Sequence, residues 1–367
     1  MVIYLPVLKG RDGEFKALSN LSASLVPHLL PIFEVVPSER GPTRDAYAFV
    51  EKVWDAAPPD LSVAVDLQYL EDPSDGIRRP LHDIGEDLAA RGVPMLPVLH
   101  LADSPQRLAD AGTAARLHAG HAVLRLGGAA MDPNDEEAEA QLDRIARYSG
   151  LSVERCALVL DFFEIRSERD VSRVEPIVRK CVSWAQRRPW QSITVASGAM
   201  PENISDLPTN AATPLRRWDR LLWERIRDLD VQYGDYGIAH PKMTGGGWPP
   251  NPNIRYTADE SWWVYRWVRD KATNAAVYDM CKALVAAGHW PGTEPSFCWG
   301  DNEIALRAAG RAGPGNPTSW RAWGTSRHLA FIVDELTETI ASRRHRGEVR
   351  PMADATELAE WTRGPIR

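Results

Sequence analysis

The sequence predicts an α/β fold, a (β/α)8 TIM-barrel-like domain with a Trp-rich helical C-terminal extension capping the barrel mouth. Three observations point there. Eight short apolar or β-branched runs start about 30 residues apart, the length of a βα unit. Several of them are apolar almost throughout, as strands of a parallel sheet covered on both faces must be. The segments between them carry apolar residues at three- and four-residue spacing, the mark of amphipathic helices. Eight strands in alternation with helices suit a closed barrel better than an open sheet.

In chain order the strand-like runs cover residues 3–8, 30–36, 62–67, 94–99, 122–126, 157–162, 192–196 and, more weakly, 231–238. Helices are predicted over 44–57, 77–91, 105–119, 134–149 and 168–187, with start signals at Asp103-Ser104-Pro105 and Asp132-Pro133-Asn134. After the eighth strand, a Gly/Pro-rich connection runs from His240-Pro241 to Pro252 and contains Gly245-Gly246-Gly247. A Trp-bearing stretch over 259–287 is expected to be the eighth barrel helix, followed by a Gly-, Pro- and Trp-rich region over 289–325 with one short helix near 302–309. A final amphipathic helix is predicted over 326–344. The expected organisation is a barrel over 1–288, a cap and final helix integral to it over 289–344, and a flexible tail over 345–367.

The 367 residues are 44% apolar and 25% charged, enough to bury a large core and too apolar for global disorder. Lys plus Arg total 43 against 50 Asp plus Glu, a net charge of −7, which disfavours wrapping nucleic acid as the main role. Four scattered cysteines, Cys156, Cys181, Cys281 and Cys298, give neither a disulfide framework nor a zinc knuckle. The chain opens into an apolar strand without a basic leader, and no run approaches the roughly 18 apolar residues of a membrane span. A soluble, cytoplasmic protein without membrane contact is expected. Of 14 tryptophans, 11 lie from Trp218 onward, which predicts either a heavily packed C-terminal half or aromatic walls around a planar or sugar-like ligand.

In a barrel of this type the working face is the C-terminal end of the strands. Polar residues stand there on all eight: Lys9, Glu34, Asp66, His100, Arg125, Asp161, Ser197 and Asp235. A ring of both charge signs costs desolvation energy unless it binds something or pairs internally. Lys9 and Arg11, in a segment whose Gly10 and Gly13 free the backbone to approach a ligand, are placed to meet an anion, although the segment lacks the P-loop order. Glu34, Asp66, Asp161 and Asp235 could divide acid and base roles, or hold a divalent cation such as Mg or Mn. No zinc, NAD or haem signature is present: the nine histidines are dispersed, and Gly127-Gly128 lacks the dinucleotide fingerprint. Ser197 reads as a donor toward a ligand, since no nucleophile context surrounds it. Tyr233-Gly234-Asp235-Tyr236-Gly237 followed by His240 displays a carboxylate between two tyrosines, the most site-like segment in the chain. Arg255, Tyr256, Trp320, Arg321 and His328 are expected to reach the strand ends if the C-terminal region folds over the mouth, arginine beside rings suiting phosphate, carboxylate or a stacked base. The competing expectation is a cap held by salt bridges and Trp packing.

The landmarks Tyr4-Leu5-Pro6-Val7-Leu8-Lys9-Gly10, Gly13-Glu14, Pro31-Ile32-Phe33-Glu34, Ser197-Gly198-Ala199-Met200-Pro201, Tyr233 to Gly237, His240-Pro241, Arg255-Tyr256-Thr257 and Gly315-Asn316…Trp320-Arg321…Gly324…His328 together resemble the phage beta-protein family, in order and spacing over about residues 3–335. That family has no established activity. The resemblance implies an accessory gene of phages or mobile and defence islands, hence a role in phage–host conflict and a protein partner from a neighbouring defence gene. One departure is Arg327-His328 in place of a His-His pair, which puts a two-histidine mechanism in doubt.

Two functions follow as expectations. The first is a hydrolase, of phosphodiesterase or nuclease type, acting on a small anionic phosphate-containing substrate (a nucleotide or a nucleic-acid end). Lys9, Glu34, Asp66, Asp161, Asp235 and His328 would carry its chemistry, and Arg11, Arg125, Ser197, Tyr233, Tyr236, His240, Arg255, Tyr256, Trp320 and Arg321 would bind substrate. The second is a non-catalytic recognition module that binds a phage or host component, with its strand-end charges locked in salt bridges. A glycosidase is a weaker third, disfavoured by the many arginines.

Overall fold

The structure, a computed structural model, describes residues 1–73, 78–127, 135–243, 251–269, 274–292 and 297–345. Eight parallel strands close into a barrel: β1 (Tyr4–Leu8), β2 (Ile32–Glu34), β3 (Val63–Asp66), β4 (Met95–Leu99), β5 (Ala122–Gly127), β6 (Cys156–Glu164), β7 (Ser192–Gly198) and β9 (Gln232–Asp235). Closure is made by β9, which lies parallel to both β7 and β1, with Tyr4 opposite Tyr233 and Pro6 opposite Asp235. Small interior side chains such as Val7, Ala64, Val123 and Ala196 fill the barrel, while their strand neighbours pack outward against the helices. That outer layer holds α1 (Asp12–Leu18), α2 (Pro42–Ala56), α3 (Pro80–Ala90), α4 (Pro105–Leu117), α5 (Asp135–Ser149), α6 (Glu168–Ala185) and α7 (Trp218–Arg225). The Ser104 start signal is realised as an N-cap, its hydroxyl accepting from the Arg107 amide at 3.1 Å. The Asp132-Pro133-Asn134 signal, Gly128, the Gly245-Gly246-Gly247 run and the tail beyond residue 345 lie outside the described residues.

The last third differs from the sequence expectation. The single helix predicted over 259–287 is instead a hairpin, β10 (Asn253–Ala258) and β11 (Ser261–Arg266), followed by α8 (Ala275–Val285). Trp262-Trp263-Val264-Tyr265 is a run of strand-favouring side chains, and Asp259 takes the left-handed conformation (φ 43°) in a two-residue turn. Helical spacing of tryptophans is the weaker signal there. A further strand, β8 (Ala211–Arg216), pairs antiparallel with β11 and completes a three-stranded sheet of order β10-β11-β8. Its Pro214 is tolerated because β8 is an edge strand.

The predicted short helix is α9 (Trp299–Ala308), and the final helix, α10 (Pro317–His345), starts nine residues before its predicted beginning. At 29 residues it is about 43 Å long. Its first half puts Trp320 and Trp323 into a second apolar core with Ile254, Tyr265 and Met280. From Leu329 onward, Leu329, Ile332, Val333 and Leu336 enter the core between barrel and helices. There it lies against α1, and Arg220 of α7 donates to Glu335 at 2.6 Å. So α10, not the 259–287 segment, supplies the eighth barrel helix. No described helix is long and apolar enough to cross a membrane.

Candidate functional site

Strand alternation decides which strand-end residues share a space. Side chains two apart point to the same face, so Lys9 follows Leu5 and Val7 inward, and Glu34 follows Ile32. In the same way Asp66 follows Ala64, His100 follows Val98, Arg125 follows Val123, and Asp161 follows Val159. These six and Tyr236 form one network at the C-terminal end of the barrel interior. Arg125 is its hub: Nη1 donates to Glu34 at 2.8 Å and Asp66 at 2.7 Å, Nη2 to Asp161 at 2.7 Å and Tyr236 at 2.7 Å. The Tyr236 hydroxyl donates to Asp161 at 2.5 Å. Lys9 pairs with the other Glu34 oxygen, donates to the Pro241 carbonyl, and lies 4.9 Å from the Tyr236 ring centroid. His100 meets Asp66 at 2.8 Å, and Gln68 donates to Glu34 at 2.6 Å.

The electrostatics follow from burial and pairing. Burial lowers Lys9 below the ordinary lysine range, against the pull of Glu34. Burial raises Glu34 in spite of Arg125 and Lys9. For Asp66, burial works upward, but His100 and Arg125 outweigh it and hold the carboxyl well below the carboxylate range. Burial likewise opposes charge on His100, and Asp66 overrides it, so the imidazole is raised. Arg125 stays charged because Tyr236, Asp161, Glu34 and Asp66 more than offset its desolvation.

Asp235 is one residue out of phase and points outward, through the barrel wall. The expected convergence of Glu34, Asp66, Asp161 and Asp235 therefore does not occur. Asp235 accepts from Tyr4 at 2.6 Å, meets His328 Nε2 at 2.8 Å and accepts from Tyr233 at 3.1 Å. The single Tyr233 hydroxyl proton is shared with Asp219, the nearer acceptor at 2.6 Å, and the same oxygen accepts from Arg217 at 3.0 Å. Thr257 Oγ1 lies 2.8 Å from His328 Nδ1, which makes a hydroxyl–imidazole–carboxylate row. All three members are fully buried. A substrate carbonyl could not reach Thr257, so the row is a structural tie joining β9, β10 and α10. His328, expected as an acid at the mouth, is held in this second cluster.

A cation among these carboxylates would compete with the hydrogen bonds that they already accept. Both oxygens of Glu34, Asp66 and Asp161 already accept hydrogen bonds from Lys9, Arg125, His100, Tyr236 or the backbone. The one group of metal-ligating side chains within chelating distance among the described residues is His82, Asp83 and Glu86 on the α3 surface.

A third group sits beside the interior network. Arg11 at the start of α1, Arg255 on β10 and Arg321 on α10 are half-buried and mutually close. Burial, then Arg321 and Arg11, push Arg255 down to about 10. Burial and Arg321 lower Arg11, against Glu14 and Glu34. Arg255 donates to the Ile238 carbonyl at 2.6 Å, and no described carboxylate pairs with Arg255 or Arg321. The approach of these elements depends on glycine: a Cβ on Gly13 would lie 2.9 Å from the Thr318 carbonyl, and one on Gly324 2.6 Å from that of Arg255.

Of the remaining expected ligand residues, His240 is on the mouth, paired with Glu164 at 3.0 Å. Tyr256 and Trp320 are buried in the second apolar core, Trp320 donating to the Pro314 carbonyl at 3.0 Å. Tyr233 belongs to the outer cluster, and Ser197 is buried on the outward face of β7 with Val195. Sequence reading missed Gln68, Phe163, Arg217 and Asp219. Only Gln68 had a signal, standing two residues after Asp66.

The profile of the Beta protein family matches residues 4–334. No curated protein matches the chain. Among solved structures, 3-dehydroquinate dehydratase from Enterococcus faecalis is similar at 11% identity and TM-score 0.35, over 64% of this chain and 88% of that one. A probable tagatose 6-phosphate kinase from Sinorhizobium meliloti 1021 is similar at 12% identity and TM-score 0.36, over 98% and 97%.

Proposed function

The chain belongs to the Beta protein family, and from that premise and the arginines at the mouth we propose a barrel hydrolase that acts on a phosphate-containing substrate, a nucleotide or a nucleic-acid end. The observation that carries the reading is the clustering of Arg11, Arg255 and Arg321. Arg255 and Arg321 pair with no described carboxylate and repel each other, and a phosphoryl group between them and Arg11 offsets that cost and gains bidentate hydrogen bonds. Lys9 and Glu34 supply the acid–base pair, which substrate reaches by displacing the Pro241 carbonyl from Lys9 or Gln68 from Glu34. Burial pushes their proton affinities toward each other, and Arg11 feels the Glu34 charge. Arg125 is reassigned: it holds three carboxylates in place and is not available to substrate. The proposed setting, phage–host conflict with a partner from a neighbouring gene, rests on family resemblance alone.

Steady-state hydrolysis of nucleoside monophosphates and short oligonucleotides tests the proposal. Glu34→Gln is expected to lower kcat about a hundredfold or more, and Arg255→Met to raise KM. The saturation of every carboxylate oxygen in the barrel interior favours one second reading, a recognition module without chemistry. Stable phosphate binding with no turnover in the wild type would decide for it.

A further inference from the structure

Phe163 is costly in two ways at once. It takes the left-handed backbone conformation, φ 58°, which a bulky side chain adopts only under constraint. The residue is also 37% exposed, at the C-terminal end of β6. A local cause is visible: the β6–β7 register shifts between Asp161 and Glu164, and the Phe163 amide donates to Asp161 at 2.9 Å. A bulge of this kind re-aims a side chain, and Gly or Asn would make it with less strain. Stability does not explain a phenylalanine here.

The ring is aimed at the mouth. Its centroid is 6.1 Å from that of Tyr236, at 81°, and 6.4 Å from that of His240, at 86°. Both contacts are perpendicular, so among the described residues no parallel ring covers a face of Phe163. Tyr236 in turn packs on Lys9 of the interior network. The same short segment carries the arginine group, since Arg255 is held by the carbonyl of Ile238, midway between Tyr236 and His240. Two residues of chain span at most about 7.6 Å. The aromatic ring and the phosphate-binding arginines therefore flank one five-residue stretch.

We propose that Phe163 is the stacking platform for the planar ring of the ligand, so that the mouth takes a nucleotide, base on Phe163 and phosphate on Arg11, Arg255 and Arg321, in preference to a sugar phosphate. This rests on the phosphate-site reading above and adds to it the class of molecule that carries the phosphate. Aromatic stacking tolerates any base, so the platform selects for a base and not for its identity.

Binding of inorganic phosphate, ribose 5-phosphate and AMP to the wild type, Phe163→Gly, Phe163→Tyr and Arg321→Ala separates the possibilities by titration calorimetry. AMP is expected to bind the wild type about tenfold more tightly than ribose 5-phosphate. Phe163→Gly should abolish that preference while leaving phosphate and ribose 5-phosphate affinities within about twofold, and Phe163→Tyr should restore it. Thermal unfolding checks folding: Phe163→Gly trades the ring contacts with Tyr236 and His240 for relief of backbone strain, and a single cooperative transition shows that it folds. An equal affinity for AMP and ribose 5-phosphate in the wild type, or an AMP preference surviving in Phe163→Gly, would overturn the platform and leave the phosphate site standing. Failure of the wild type to bind inorganic phosphate, ribose 5-phosphate or AMP would overturn both.

Discussion

At the scale of single residues, one-position differences in strand phase decide the chemistry. Asp161 and Asp235 look alike in sequence, yet one faces Arg125 inside the barrel and the other faces His328 outside it. Arg125 neutralises three buried carboxylates, so Arg125→Met should destabilise by about 3–5 kcal/mol, measurable by denaturant unfolding. The His100–Asp66 pair gives a pH prediction. Asp66 is depressed when folded, so its contribution is present above about pH 4 and is lost as pH falls through the folded value. His100 is raised when folded, so its contribution is full below about pH 6.5 and is lost as pH rises through the folded value. His100→Gln keeps a donor without the charge. It should cost about 1–2 kcal/mol near pH 6 and progressively less at alkaline pH. A difference constant from pH 5.5 to 9 would contradict the assignment of charge to this pair.

At the scale of elements, the strands and helices of the barrel proper were legible because burial imposes apolar runs and helical periodicity. All eight barrel strands fall within or beside their predicted runs. The strand-end residues were legible too, and interior facing follows from counting in twos. What sequence could not give was the small sheet and the role of α10. Ala211–Arg216 has weak strand propensity and is held by its pairing with β11, a tertiary cause. The hairpin was masked by tryptophans that fit both periods. The pairing of His328 with Asp235, across 93 positions, has no local signature. Close helix packing yields a prediction at this scale. A Cβ on Gly300 would strike the Trp323 carbonyl, a backbone atom that cannot rotate away. Gly300→Ala should therefore cost about 1–3 kcal/mol or more through overpacking, against about zero for Gly313→Ala, where nothing lies within 4 Å. Paired urea titrations of the two variants would show it.

At the scale of the whole molecule, α10 ties the two apolar cores together, feeding Trp320 and Trp323 to one and Leu329 to Leu336 to the other. The buried Asp235–His328–Thr257 row crosses the same boundary. We propose that barrel and cap are a single cooperative unit, for which calorimetry should record one transition with equal calorimetric and van't Hoff enthalpies. Two resolved transitions would show the cap folding by itself. Gly13, Gly324 and α10 fix the backbones that bring the three arginines together, so the fold itself builds the anion site proposed for them. The most direct test of that central claim is a phosphate titration of wild type and Arg321→Ala, with the ligand-free Tm of each recorded. An anion site built by repulsion predicts that the wild type binds phosphate, more weakly as salt rises, and that Arg321→Ala loses binding while its ligand-free Tm holds or rises. A fall in ligand-free Tm on losing Arg321, with no phosphate binding in the wild type, would contradict it.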